Sequence, residues 1–321
     1  MFTWHKRGHL FNPEALVARP DWMDAFAQAP AVLVFDTFVR VYFSCRPAPD
    51  ASGQYVSRAA YVDLDRADLF KVVGLASRPV MELGGRGSFD EFGTYPMSVI
   101  RHDDVIRAYY GGWTRCVAVP FDVAIGYAVS RDGGVTFDKQ GNGPVLAADL
   151  HEPFIISGPK IRRFDGRWYL WYIAGSKWIP GEGRPEPVYR IRMATSDDGL
   201  TWVRGGQDLI APRLEADECQ ASPDVIFANG KYHMFFCYRY SLGYRGRERG
   251  YRIGYARSQD LQTWVRDDSK AGIDVSTDGW DSEMISYPHL FELDGKTLML
   301  YLGNQVGRWG FGLAELDGVL S

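Results

Sequence analysis

Apolar residues in this chain fall into short alternating runs separated by turn residues, and the runs recur at a nearly constant spacing. Five of them open at a proline, at Pro30, Pro96, Pro159, Pro223 and Pro288, with intervals of 66, 63, 64 and 65 residues. Behind each proline stand an alternating apolar segment, a turn, and a second apolar segment rich in Tyr, Trp or Phe. Pro159-Lys-Ile-Arg-Arg-Phe-Asp-Gly-Arg-Trp-Tyr-Leu-Trp-Tyr172 is one copy. A second pair of segments follows, joined by an Asp/Gly turn, as in Ile191-Arg-Met-Ala-Thr-Ser-Asp-Asp-Gly-Leu-Thr-Trp202. Strand, Gly-containing turn, strand is a hairpin signature. A repeat of this length made of four short strands predicts one four-stranded sheet per repeat, arranged radially. The expected fold is therefore all-β, a five-bladed β-propeller occupying residues 1–321 as a single domain.

The last repeat supplies only three strands before the chain ends. Phe2-Thr3-Trp4-His5-Lys6-Arg7 resembles the fourth-strand segments Leu200-Thr-Trp-Val-Arg204 and Gln262-Thr-Trp-Val-Arg266. The N-terminal strand is thus expected to complete blade 5, closing the ring and removing an edge that would template aggregation.

Composition narrows the function classes. Net charge is −4 with no basic block, so a nucleic-acid partner has no electrostatic support. No apolar stretch reaches the roughly 18 residues of a membrane span. The N-terminus lacks the apolar core of a signal peptide, and Cys45, Cys116, Cys219 and Cys237 show no paired spacing. These features predict a cytoplasmic protein with reduced thiols, without a metal cluster or cofactor. Aromatic residues reach 14%, which suits blade packing and stacking on sugar rings.

Propeller geometry sorts the chemistry. With strands A to D numbered outward, the D-to-A and B-to-C loops share the face around the channel mouth. The A–B and C–D turns lie on the other face. Asp165-Gly166 and Asn229-Gly230 fall there as turn formers, as does Ser130-Arg-Asp-Gly-Gly-Val-Thr-Phe137, which matches the Asp-box pattern. Acids fall just before strand A in four repeats: Asp90, Glu152, Glu218, and Asp281 with Glu283. Like-charged carboxylates crowded around one channel are costly unless used, which makes these five the candidate catalytic residues. The remaining loops of that face supply candidate substrate contacts: Gln28, Arg46, Trp113, Arg115, Trp178, Tyr238, Arg239, Trp280 and Asn304. Flat apolar faces beside fork-shaped donors suit a hydroxylated or anionic ligand.

The five-fold repeat and the ring of acids resemble the five-bladed glycoside hydrolases of the arabinanase/xylosidase, invertase/levansucrase and mannosyl-phosphorylase types. Gly87-Ser-Phe-Asp90-Glu-Phe-Gly-Thr, Tyr110-Gly-Gly-Trp113 and Gly279-Trp-Asp-Ser-Glu-Met284 are similar to segments of bacterial glycosidase-like proteins of surface-polysaccharide loci. In the arabinanase/xylosidase group the acids lie one or two residues before the strand-A proline. Here those places hold Gln28-Ala29, Thr94-Tyr95, Ser157-Gly158, Ala221-Ser222 and Ser286-Tyr287, none of them acidic. Glu218-Cys219 is similar to the Glu-Cys-Pro of the invertase group, whose Glu is the general acid.

The resemblance implies a glycoside hydrolase whose carboxylate pair flanks the scissile bond, one protonating the leaving oxygen and one activating water or attacking directly. In that reading Glu218 is the acid, Asp90 the base or nucleophile, Glu283 or Asp281 a tuning group and Glu152 the reserve. Two alternatives stand beside it. One is a phosphorylase in which Arg46, Arg115 and Arg239 hold phosphate; the other is a non-catalytic carbohydrate-binding propeller.

Overall fold

A computed structural model describes residues 1–321 and shows five four-stranded antiparallel sheets. The first strand of the chain, β1 (Trp4–Phe11), belongs to the last sheet. Blade 1 follows with β2 (Ala25–Val34), β3 (Phe38–Arg46), β4 (Arg58–Asp65) and β5 (Val72–Leu75). Blade 2 holds β6 (Gly93–His102), β7 (Val105–Arg115), β8 (Phe121–Ser130) and β9 (Asp138–Lys139). Blade 3 holds β10 (Ile156–Phe164), β11 (Arg167–Ile179), β12 (Glu186–Ser196) and β13 (Val203–Arg204). Blade 4 holds β14 (Cys219–Ala228), β15 (Lys231–Arg239), β16 (Arg252–Ser258) and β17 (Val265–Arg266). Blade 5 holds β18 (Ser286–Leu293), β19 (Lys296–Leu302) and β20 (Phe311–Leu316), and β1 completes it by pairing with β20 from Trp4↔Leu316 to Phe11↔Phe311. The all-β five-bladed propeller with its N-terminal closing strand is the fold the repeat predicts. No helix is long and apolar enough to cross a membrane.

The core is divided into slabs between neighbouring sheets, because each sheet is apolar on both faces and must bury both. Tyr42, Met97, Ala108 and Phe137 fill the space between blades 1 and 2. Trp168, Leu170 and Tyr109 do so between blades 2 and 3, and Trp171, Met234 and Phe236 between blades 3 and 4. Trp4, Phe235, Tyr255 and Met299 join blades 4 and 5, and Phe11, Phe43, Leu300 and Phe311 join blades 5 and 1. All four cysteines are free thiols.

The turns are held by the residues that sequence singles out. Asp103, Asp165, Asn229 and Asp294 in the A–B turns have φ of 47–52°, the left-handed region that Asp and Asn tolerate. In the Asp-box turn, the Asp132 carboxylate accepts from the Val135 and Thr136 amides and both hydroxyls of Ser130 and Thr136. Partial burial opposes its ionisation, but these hydrogen bonds outweigh it and bring its pKa down to about 2. The same turn carries the inter-blade contact. The Tyr42 hydroxyl of blade 1 donates to Gly134 O of blade 2 at 2.8 Å, and Tyr109 of blade 2 to Gly199 O of blade 3 at 2.7 Å.

Deleting residues 2–7 removes buried Trp4 and half of the closing strand. Large-to-small core losses of this kind cost about 3–5 kcal/mol, so the melting temperature should fall by roughly 10 °C or more in calorimetry. A truncated chain melting within a degree or two of the full one would contradict closure by β1.

Candidate functional site

Each inner strand begins with a kink at its proline. Ala29, Gly158, Ser222 and Tyr287, the residues before four of the prolines, have φ of 50–62°. The register of the inner hairpin slips at the same place in every blade. A bulge of this kind bends the strand and re-aims its side chains, and a left-handed non-glycine costs free energy that the surroundings must supply. Here it turns the strand starts into the wall of a cavity of about 970 Å³ at the channel mouth. The D-to-A and B-to-C loops form its rim, on the face expected from the repeat.

The cavity is lined by six cationic side chains, Arg46, Arg115, Lys160, Arg184, Arg239 and Arg245, against one carboxylate, Glu186. Arg115 pairs with Asp50 at 2.8 Å, while Arg184 and Arg245 approach Glu186 Oε1 at 3.5 and 3.4 Å. Tyr244 donates to the other Glu186 oxygen at 3.1 Å. Two guanidiniums have no carboxylate partner. Arg46 donates to Gln28 Oε1 at 2.8 Å and lies over Phe26, while its Nε is buried and unpaired. Burial pushes its pKa down. Arg239 is 2% exposed, lies 3.6 Å from the Tyr244 ring centroid, and bonds only to Tyr189 Oη and two backbone carbonyls; its Nε is also unpaired. Buried charge without a counter-ion is expensive and invites an anion.

The floor lies one residue past the prolines. Asp224, fully buried, accepts from Arg162, from the Leu290 amide at 2.8 Å and from His289 Nδ1 at 3.0 Å, with Lys160 Nζ 3.7 Å away. His289 Nε2 accepts from the Val32 amide, so Nδ1 carries the proton of a neutral ring, and burial pushes the His289 pKa down to about 4. Burial likewise lowers Lys160, to about 8, partly offset by Asp224. Tyr95, Tyr189, Tyr251 and Tyr287 line the wall. Their pKa values are raised by burial, so they present neutral hydroxyls; Tyr189 and Tyr251 lie 2.6 Å apart, oxygen to oxygen.

The expected ring of acids is not at this cavity. Asp90, Glu152, Glu218 and Asp281 are 0–3% exposed, and none borders it. Each is clasped inside its own blade by a cation from the outermost strand. Asp90 takes Lys139 at 2.5 Å and Tyr110 Oη at 2.9 Å. Glu152 takes Arg204, Arg192 at 3.1 Å and Tyr172 Oη. Asp281 takes Lys6 at 2.7 Å and Tyr301 Oη at 3.0 Å. Glu218 takes Arg266 at 2.6 Å, Gln220 and the amides of Arg213 and Leu214; Phe236 stands where blades 2, 3 and 5 have tyrosine. Burial opposes ionisation of Glu218, but the bonds from Arg266, Gln220 and Arg213 outweigh it and hold its pKa below the ordinary value. A general acid must carry its proton at the working pH, so Glu218 is unsuited to that role. Glu283 is half-buried and also lies off the cavity.

Of the expected substrate contacts, Gln28, Arg46, Trp113, Arg115 and Arg239 line the main cavity, and Trp178 lines a second cavity beside it. Three do not. Tyr238 packs under Arg266, Trp280 stacks between His9 and Tyr301, and Asn304 caps the Glu283 and Met284 amides. Sequence reasoning missed Glu186, Lys160, Arg184 and the tyrosine wall. Lys160, Asp224 and His289 share one repeat position directly after the proline, and that shared position is the signal that could have exposed them.

A glycoside hydrolase of known structure superposes with a TM-score of 0.72 at 15% identity, covering 98% of this chain and 93% of that one. The fold is thus that of the glycoside hydrolase-like five-bladed propellers. No family model matches the chain. It is 36% identical over 317 residues to the uncharacterized protein Rv1502 of Mycobacterium tuberculosis (strain H37Rv), across 98% of this chain and 99% of the relative, and belongs to the same family. A 1,2-beta-oligomannan phosphorylase of Thermoanaerobacter sp. (strain X514) is 29% identical over 198 residues, 60% of this chain and 58% of the relative.

If the acids are blade clasps, Glu218→Gln and Arg266→Met should each cost about 3–5 kcal/mol, and the double variant less than their sum. Additive losses in denaturant unfolding would show that the two do not act as a pair. The depressed Glu218 pKa stabilises the fold fully above the unfolded carboxyl value of about 4.3. That contribution is lost as pH falls through the folded value, so the acid limb of the stability curve should flatten in Glu218→Gln.

Proposed function

We propose that this protein is a glycoside phosphorylase acting on β-linked oligosaccharides, with inorganic phosphate as the nucleophile. The observation that carries this is the charge of the cavity: six cations, two of them without a carboxylate partner, and a single carboxylate. Hydrolysis by the two-carboxylate route needs a second carboxyl within about 5–9.5 Å to attack or to activate water. Phosphate brings its own nucleophilic oxygen and leaves only the proton donor to the protein. The relative named as an oligomannan phosphorylase supports the same reading.

In this reading Arg46, Arg239 and Lys160 hold hydrogen phosphate beside the anomeric carbon. The new carbon–oxygen bond to phosphate forms as the glycosidic bond breaks. The proton that the attacking hydrogen phosphate gives up is relayed through the Glu186 carboxylate to the leaving oxygen. The neutral residues Gln28, Tyr95, Ser157, Ser222 and Tyr287, at the strand starts, serve as hydrogen-bond donors and acceptors to sugar hydroxyls.

Incubation with β-1,2-linked manno-oligosaccharides should release a sugar 1-phosphate only when phosphate is added. Equal turnover in phosphate-free buffer would instead establish hydrolysis. Binding without turnover in either buffer would establish a non-catalytic propeller. A hydrogen bond to a charged group is worth about 1.5–3 kcal/mol, so Arg46→Ala should raise the KM for phosphate about 10–100-fold. Phosphate affinity should also weaken as pH rises through about 8, where Lys160, facing Asp224, Arg162 and His289, loses its proton. An affinity unchanged from pH 7 to 9.5 would remove Lys160 from the phosphate site.

A further inference from the structure

The five blades are not equal in height on the cavity face. In blades 1, 4 and 5 the central hairpin pairing ends at Cys45↔Arg58, Tyr238↔Arg252 and Leu302↔Phe311. In blades 2 and 3 it continues to Arg115↔Phe121 and Ile179↔Glu186. These two hairpins therefore rise above the others as adjacent walls. Their extensions carry a continuous line of aromatic rings. Tyr95, at the inner strand, stacks on Trp113 with centroids 5.9 Å apart and planes at 28°. Trp113 follows on Phe121 at 4.5 Å, and Phe121 on Trp178 at 5.3 Å. Trp113 is pinned by its indole N–H donating to Tyr95 O, and Trp113, Phe121 and Trp178 remain partly exposed.

The line runs from the main cavity into the second one, of about 530 Å³, which Trp178, Pro180 and Pro185 enclose with the Gly181–Gly183 backbone. The two cavities share Ala118, Val119, Gly183, Arg184 and Pro185, so a guanidinium stands where they meet. Partly exposed rings along the cavity wall, beside a charged donor and bare backbone, fit the apolar faces and hydroxyl rims of successive sugar units. The main cavity alone is near the upper end of the usual size for a small-molecule site, about 300–1,000 Å³. A disaccharide would leave the outer cavity unused.

We infer that the raised hairpins of blades 2 and 3 form a run of sugar-binding positions extending outward from the site, so that the ligand is a linear oligosaccharide of three or more units with Trp178 as its outermost platform. This rests on the carbohydrate reading above but not on phosphorolysis.

Affinity is measured by calorimetry, without phosphate, for β-1,2-linked manno-oligosaccharides of two to five units and for a matched α-1,5-linked arabino-oligosaccharide series. The expected result is an affinity that climbs from two units to four and then levels. In Trp178→Ala, with an unchanged melting temperature, the ratio of tetramer to dimer affinity should drop about tenfold, and Trp178→Phe should restore most of it. Affinity independent of length, an unaltered ratio in Trp178→Ala, or no binding in either series would overturn the inference. The wild-type length series decides the question even if the alanine variant is unstable. Loss of phosphate dependence, by contrast, would leave the length series intact and count only against phosphorolysis.

Discussion

The interaction on which this propeller most depends is a buried pairing between the loop that enters a blade and the strand that leaves it. An acid five to seven residues ahead of the inner-strand proline reaches a Lys or Arg on the outermost strand, and in three blades a tyrosine from the second strand joins them. The clasp spans the sheet from its inner entry to its outer edge, so loop position and outer-strand register are fixed together. In blade 5 the cation is Lys6, 275 residues from Asp281, and the clasp becomes part of the ring closure. Blade 1 does without it: Met23, fully buried, enters the core at the corresponding loop. A buried ion pair is weak evidence for net stability, because desolvation offsets most of the attraction. Its service here is to specify one arrangement of loops around the channel.

That clasp also explains what could and could not be read from the sequence. The proline period, the alternating segments and the Thr-Trp match at the N-terminus reported the blade count and the closing strand, because hydrophobic period and turn chemistry are local. The acids were visible but their partners were not connected to them. Like charges at equivalent positions suggested a crowded channel, yet each was neutralised within its own blade. The partners stood in the same repeat: Lys6, Lys139, Arg204 and Arg266 all fall two residues after an aromatic that follows threonine. An acid and a base repeated together in four of the five blades are the mark of a structural device. Chemistry on a ring-shaped fold sits where the repeat is broken.

The cavity shows such breaks. After the five prolines stand Ala31, Met97, Lys160, Asp224 and His289, five different residues at one geometric position. Glu186 and Arg184 belong to the raised hairpin of blade 3, and the raised hairpin of blade 2 brings no acid to the cavity. Nothing periodic announces them, and the chain's net charge of −4 conceals a cavity in which cations outnumber carboxylates. Composition reports the average surface, whereas the charge of the cavity is set by the few side chains that strand ends and loops gather around it.

Placing the acids in the sheets and the bases in the cavity has an electrostatic consequence for the site. Clasped carboxylates spend their field on their own cations and leave the channel mouth positive. Arg46 and Arg239 hold that field in place, because each is packed against aromatic rings and neither has a carboxylate to relax toward. The strained residues Ala29, Ser222 and Tyr287 act to the same end by fixing the wall geometry before any ligand arrives. A site organised this way does not need to gather its charges on binding. The cost of desolvating Arg239, 2% exposed, is met when the chain folds, by the inter-blade cores. The regular part of the propeller is thus what permits the irregular part to remain unsatisfied.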